Sequence, residues 1–204
     1  MGALSFATGS LALRVASDVR LVEQARQLVE PTPPSELSKR NRDQLYQMEV
    51  PEATANGFLQ NRWLSPRHQT VIVASMMALG SIPGRAEFIA YATESDTEDA
   101  ALLFQQMAEL IAGYSALIAP VRTISIVLNL PIVTDKSSTV LLLPIDRLLW
   151  TERTAGLAQG LIQSQPPGLT IWITGEASPR AEAGLSDLGL RLVQRCGRQI
   201  SLLD

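Results

Sequence analysis

The chain has 204 residues, of which 46% are apolar, enough for one sizeable domain or two small ones. Its formal charge is −3, and charged residues make up 18% of it, against about 25% in typical proteins. We therefore expect neither a nucleic-acid partner nor an anionic membrane surface. With one cysteine and one histidine, an intramolecular disulfide and a multi-histidine metal site are excluded.

The sequence predicts a soluble chain without a membrane span, because no stretch reaches the roughly 18 consecutive apolar residues that a spanning helix requires. Residues 1–13 carry no charge, but they lack the positively charged start and the cleavage site of a signal peptide. We interpret them as an ordinary N-terminal strand or tail. We expect a cytoplasmic protein, and an exported protein that has lost its signal is the alternative.

The first part of the chain predicts helices joined by proline-containing connections. Apolar spacing predicts a first helix from about Asp18 to Val29, ended by the proline-rich segment 31–34. Ser35 is placed to cap a polar, solvent-exposed helix, and Pro51 marks the first position of a third one.

Ser65 and Pro66 predict a helix start, since serine accepts a backbone hydrogen bond at the N-cap and proline fits the next position. Residues 71–79 are apolar nearly all round, and Gly80 is typical of a helix end. This pattern predicts a helix in the centre of a bundle. His68 lies in its first turn, and we interpret it as a capping-region or surface histidine rather than a general base.

A long helix is predicted after residues 95–98, which have the spacing of a capping box. Its apolar stripe runs from Leu103 to Ile118, while Gln105 and Glu109 lie largely off it. We interpret Glu109 and the neighbouring carboxylates as solvated or helix N-terminal charges. A chain with one histidine cannot supply the paired Glu-x-x-His motifs of a di-metal bundle.

From residue 121 the composition becomes β-branched, which predicts a strand that ends at residues 129–131. Residues 132–133 and 139–143 are predicted to pair as a hairpin across the polar turn 135–138.

Helices and strands then alternate. We predict a helix from about Glu152 to Ile162, a loop at 166–168, a buried strand over 169–173, a helix started by Ser178 and Pro179, and a last strand over 190–193. The fold class is therefore α+β, with a mainly helical, bundle-like region over residues 1–118 and a small layered α/β region over 119–204. The latter contains a β-hairpin and a βαβ unit. Packing of the two regions as one compact domain is left open.

The most site-like feature is the turn between the buried strand and the helix that follows it. Backbone amides at a helix N-terminus can bind an anion, which makes Thr174, Gly175, Ser178 and Arg180 candidate ligand-binding residues. The competing interpretation is structural, with Gly175 easing the turn and Ser178 capping the helix. The glycine spacing of a Walker loop or a dinucleotide fingerprint is missing.

Two tryptophans, Trp63 and Trp150, are candidate interface anchors, since large aromatic residues dominate binding hot spots. For Trp150, packing between the two regions is the alternative. We interpret Cys196 as a strand-end thiol without a catalytic role.

The sequence reveals no catalytic constellation, metal site or cofactor motif. We therefore expect a protein-binding or structural module rather than an enzyme, with another protein or a second copy as its partner. The alternative is a domain or enzyme that binds a small phosphate or carboxylate at residues 174–180.

Overall fold

A computed structural model describes residues 22–164 and 168–200. The predicted N-terminal strand or tail, the start of the first helix at Asp18, and Pro166 and Pro167 of the predicted loop lie outside these residues. Helices come first along the chain, and a mixed five-stranded sheet with further helices follows. The α+β class and the order of its parts are confirmed.

The helical region surrounds one central helix. Its helices are α1 over residues 22–29, α2 Pro34–Gln47, α3 Glu52–Gln60, α4 Pro66–Ala78, α5 Arg85–Ala92 and α6 Glu98–Leu117. Every residue of α4 from His68 to Met76 is buried, as its apolar sequence predicts. This helix packs mainly against α6 and α2.

Three predicted helix starts were misplaced. Pro51 is the N-cap of α3, which begins one residue later at Glu52. Thr97, not Ser95, caps α6, and its hydroxyl oxygen accepts the amide three residues further on at 3.1 Å. Ser95 instead donates its hydroxyl to the Ala92 carbonyl at 2.8 Å and closes the end of α5. Helix α2 begins at Pro34, so Ser35 lies inside it and caps nothing. Proline occupies the first helical turn readily, because its φ angle is fixed near the helical value.

The α/β region contains a sheet of five strands in the order β1-β2-β3-β5-β7, with a separate pair β4-β6. The elements are β1 Thr123–Val127, β2 Leu130–Thr134, β3 Thr139–Leu143, β4 Arg147–Leu148, α7 Glu152–Ser164, β5 Thr170–Ile173, β6 Glu176–Ala177, α8 Pro179–Asp187 and β7 Arg191–Val193. Strands β2 and β3 form the predicted antiparallel hairpin. Strands β3, β5 and β7 are parallel and are joined through α7 and α8, which gives the predicted βαβ arrangement.

An unpredicted hairpin joins β1 to β2, and its turn lies at Leu128 and Asn129. Both have positive φ angles, 52° and 58°, which a two-residue hairpin loop of type I′ requires. Pro131 therefore lies within β2 instead of ending a strand. Leucine rarely adopts this conformation. The turn is held from two sides: Leu128 contacts Gly160 of α7, and the Tyr91 hydroxyl donates to the Asn129 carbonyl at 2.5 Å.

Side chains of the sheet alternate between two hydrophobic cores, as the two-residue period of a strand requires. One face packs against the helical region, and the other packs against α7 and α8. The first face includes Val133, Val140 and Leu142, and the second includes Ile132, Leu141, Ile171 and Ile173.

Tyr114 of α6 ties the helical region to the sheet. Its buried hydroxyl donates to Asp135 in the β2–β3 turn at 2.7 Å, and its ring meets Trp172 edge-on at 5.4 Å. Burial and the adjacent Asp135 raise the pKa of Tyr114, so the phenol keeps its proton. Asp135 also accepts the amides of Ser137 and Ser138, which fixes the turn.

Strands β4 and β6 form a two-residue parallel pair that the sequence did not reveal. It lies beyond the carboxyl ends of β3 and β5. Beside it, Gly175 passes so close to Asp146 that a Cβ atom would lie 1.9 Å from the Asp146 carbonyl oxygen. Only glycine fits at this position without moving the backbone.

We predict that Gly175→Ala lowers the free energy of unfolding by about 1–3 kcal/mol or more, because the new methyl group would meet backbone atoms that cannot move freely. The matched control is Gly156→Ala in α7, where a Cβ atom meets nothing within 4 Å. The control should stabilise the protein by about 0.5–1 kcal/mol, since alanine is the better helix former. Urea unfolding monitored by circular dichroism measures both. Equal effects of the two substitutions would contradict the close approach at Gly175.

Candidate functional site

The backbone amides of residues 174–178, in the first part of the predicted anion-binding turn, have partners within the protein. The amides of residues 174 to 178 donate, in order, to the carbonyls of Leu143, Ile145 and Asp146, to the side-chain oxygen of Gln194, and to the carbonyl of Leu148. The Ser178 hydroxyl oxygen caps α8 by accepting the Ala181 amide at 3.2 Å. Arg180 is exposed. Gly175 thus allows the close turn and Ser178 caps α8, as the structural interpretation predicts. Anion binding at Thr174, Gly175, Ser178 and Arg180 stays a prediction.

The carboxyl ends of the parallel strands are covered by the protein itself. Sheets of this kind usually bind ligands in the crevice outside these strand ends. In this chain β4, β6 and the loop after β7 occupy that position. Gln194 also donates to Glu182 at 2.7 Å, and Arg195 forms an exposed ion pair with Glu176. Hydrogen bonding to Arg195 and its charge lower the pKa of Glu176.

The two predicted interface tryptophans have different surroundings. Trp150 packs within the α/β region against α8, where a Cβ atom at Gly184 would lie 2.3 Å from the indole ring. Trp63 lies between α3 and α4 with 38% of its surface exposed. The guanidinium group of Arg62 lies 4.9 Å from the centre of its ring. Of these two residues, Trp63 is the one that faces solvent.

His68 belongs to the cap of α4. Its amide donates to the Ser65 hydroxyl oxygen, and its Nδ1 atom accepts the Ser65 amide, both at 3.3 Å. This reciprocal pair is a capping box, with histidine in the place of the usual glutamate or glutamine. Accepting a hydrogen bond at Nδ1 requires the neutral ring, and burial lowers the pKa of His68 accordingly.

Cys196 is fully buried in the core that joins the helical region to the sheet. Burial raises the pKa of its thiol to about 11, so the thiol is protonated at neutral pH and is a weak nucleophile. No cluster of three or more potential metal-ligating side chains occurs within residues 22–164 and 168–200.

Glu109 is the main residue that sequence reasoning misplaced. Instead of lying on a solvated face, its side chain is buried, with 7% of the residue exposed. The reason is α1, which lies over α4 and α6 and places Arg26 against Glu109 with an Nη2–Oε1 distance of 2.6 Å. Gln105, one turn earlier on α6, is buried as well. Burial raises the pKa of Glu109 even though the charge and hydrogen bonds of Arg26 oppose that rise.

A signal for this second buried face of α6 was present in the sequence. Ala101, Ala108 and Ala112 allow another helix to approach closely, and all three are buried. Their spacing marks a face distinct from the large apolar stripe.

A cleft of about 250 Å³ opens between α1 and the first turn of α4. It is lined by Glu23, Arg26, Gln27, Val29, Glu30 and Arg67. Arg26 is already paired with the buried Glu109.

Exposed apolar side chains occur in the segment before α4 and in the second turn of α6. The Asn61 side chain donates to the carbonyls of Thr93 and Ser95, both at 2.9 Å, and so fixes the segment before α4 beside the segment that enters α6. Leu102 and Leu103, in the second turn of α6, are 43% and 39% exposed. We define the Trp63 surface as the exposed residues Arg62, Trp63, Leu102 and Leu103.

The exposure of Leu103 corrects the predicted apolar stripe of α6. Phe104, the next residue, takes the core position and stacks edge-on against Tyr91 with ring centres 4.7 Å apart. Ile118, the last member of the predicted stripe, is also exposed. The stripe was therefore displaced by one residue at its start and extended too far at its end.

No protein-family model, curated protein or solved structure matches this chain. Among the helices of the described ranges, none combines the length and apolar character that a membrane crossing requires. Function is therefore inferred from the contacts and surfaces described above.

We predict that stability depends on the protonation of His68. Its pKa in the folded protein lies below the ordinary value of 6.5, so the unfolded chain binds the proton first as the pH falls. The free energy that neutral His68 contributes to stability is complete above pH 6.5. It is lost as the pH falls from there through the pKa of His68 in the folded protein.

Denaturant unfolding between about pH 7.5 and pH 5 measures this effect. His68→Gln keeps a side chain that can accept the Ser65 amide, and it should reduce the loss of stability in acid. Ser65→Ala removes the hydroxyl oxygen that accepts the His68 amide in the capping box. It should lower the free energy of unfolding by about 0.5–2 kcal/mol at any pH. The same acid dependence in wild type and His68→Gln would argue against this assignment.

We predict that Arg26→Met lowers the free energy of unfolding by about 3–5 kcal/mol, because it removes the ion-pair partner of the buried Glu109 carboxylate. The double variant Arg26→Met with Glu109→Gln should be more stable than Arg26→Met alone, since no buried charge then remains. Urea unfolding of Arg26→Met, of Glu109→Gln alone and of the double variant tests the pair. Simple addition of the two single effects would show that the residues do not interact.

Proposed function

We propose that this chain is a protein-interaction module and that the Trp63 surface contacts its partner protein. The observation that carries the proposal is the exposure of Trp63 with a guanidinium group over its ring. Tryptophan and arginine are the residue types most enriched in binding hot spots. Their stacking holds both side chains in place, so less side-chain entropy is lost on binding.

The surroundings of Trp63 have the composition of an interface. Leu102 and Leu103 supply apolar area. Exposed charges at Arg67, Glu98 and Asp99 belong to the same ends of α4 and α6. An apolar centre with a polar rim is the usual anatomy of a protein interface.

The support beneath the Trp63 surface is rigid. Asn61 binds two backbone carbonyls at the end of α5, and the Ser65–His68 capping box fixes the next turn. A surface on such a platform needs little ordering when a partner binds. We therefore expect a partner that covers Trp63 and Leu102 with apolar side chains. The small-anion alternative has no comparable support, because the amides of residues 174–178 have internal partners.

Affinity capture followed by titration of the retained protein tests the proposal. Trp63→Ala should weaken binding by about 30-fold or more, the effect of losing a hot-spot residue worth about 2 kcal/mol. Leu149→Ala is the matched control, since Leu149 is 51% exposed but lies outside the Trp63 surface. Leu149→Ala should alter the free energy of unfolding by no more than about 0.5 kcal/mol. Trp63 has most of its surface buried, so Trp63→Ala costs some stability, and binding is compared under conditions where urea unfolding shows both variants to be folded. Equal binding by wild type and Trp63→Ala, or retention of no protein by wild type, would contradict the proposal.

A further inference from the structure

We propose that α1 is exchanged between two copies of this chain, so that the groove between α4 and α6 receives α1 of the second copy. The resulting dimer keeps every contact of the closed monomer. The proposal rests on the contacts of α1 and does not depend on the Trp63 surface.

The groove under α1 is shaped for a helix with small apolar side chains. Val22 packs in one cluster with Val71 and Ala78 of α4 and with Ala112 of α6. Ala25, the next residue of α1 on this side, is buried too. Small residues on the groove walls let the two backbones approach closely, so a bulkier helix would not fit equally well.

The groove also requires a positive charge from its occupant. Glu109 is buried at its floor, and its charge is compensated by Arg26 of α1. Among the described residues, this is the ion pair that joins α1 to the rest of the helical region. An empty groove would leave the buried Glu109 carboxylate without its ion-pair partner, which is strongly unfavourable. The α1 helix of a second copy brings the same apolar residues and the same arginine.

The connection between α1 and α2 favours exchange. It consists of residues 30–33, includes Pro31 and Pro33, and leads directly into Pro34, the first residue of α2. Each proline disfavours a helical conformation in the residue before it and stiffens the segment. Short, stiff connections disfavour folding back onto the same chain and thereby promote swapping of the attached element.

Charge reversal gives a direct test. Arg26→Glu and Glu109→Arg each place like charges in the groove, so neither variant can close on its own α1. In a swapped heterodimer of the two variants, both grooves again hold opposite charges. The variants are unfolded in urea, refolded separately or together, and measured by size-exclusion chromatography with light scattering. We expect the mass of a dimer from the mixture and the mass of a monomer from each variant alone.

The double variant Arg26→Glu with Glu109→Arg is the control for folding, because it restores opposite charges within one chain. It should recover most of the stability that the single variants lose. A Gly-Ser insertion after Thr32 should lower the dimer fraction of refolded wild type, since a longer connection lets α1 fold back. A monomeric mixture, dimers of either single variant alone, or a double variant as unstable as the single ones would each overturn the proposal.

Discussion

Helix α4 is buried along its whole middle, and the rest of the molecule is arranged to keep it covered. Helix α2 covers one side, where the Asn41 amide donates to the Thr70 hydroxyl at 3.1 Å. Helix α6 covers another side, and its Tyr114 hydroxyl donates to Asp135 in the β2–β3 turn of the sheet. Helix α1 completes the cover. Because the middle of α4 is buried on all sides, removing any neighbouring helix would expose apolar surface of α4 to water, which is unfavourable.

The sheet separates two hydrophobic cores, and this arrangement decides where the protein can meet other molecules. Its helical face is filled by α6, its other face by α7 and α8, and its carboxyl edge by the β4–β6 pair. Within the described residues, the helical region contributes the exposed Trp63 surface and the groove that α1 covers.

Local chemistry made much of the fold predictable, and distant contacts account for what was missed. The capping box at Ser65, the β2–β3 hairpin and the helices between parallel strands follow from residues close together in sequence. The burial of Glu109 depends on Arg26, 83 residues away. Leu128 in a type I′ turn contradicts the residue preferences of such turns, so the β1–β2 hairpin was missed. The β4–β6 pair was missed because a strand of two residues is too short to show the alternation of apolar and polar residues. The sequence named Trp63 as a candidate interface residue. It did not predict the exposure of Trp63, which depends on how the helices around it pack.

The single cysteine of the chain, Cys196, is a natural reporter of transient opening of the hydrophobic core around it. Cys196 lies in the core that joins the helices to the sheet, and its thiol is sealed from solvent. A thiol-reactive reagent can modify it only during transient opening of that core. The rate of modification under native conditions therefore reports the free energy of that opening at one defined position, without any engineered label.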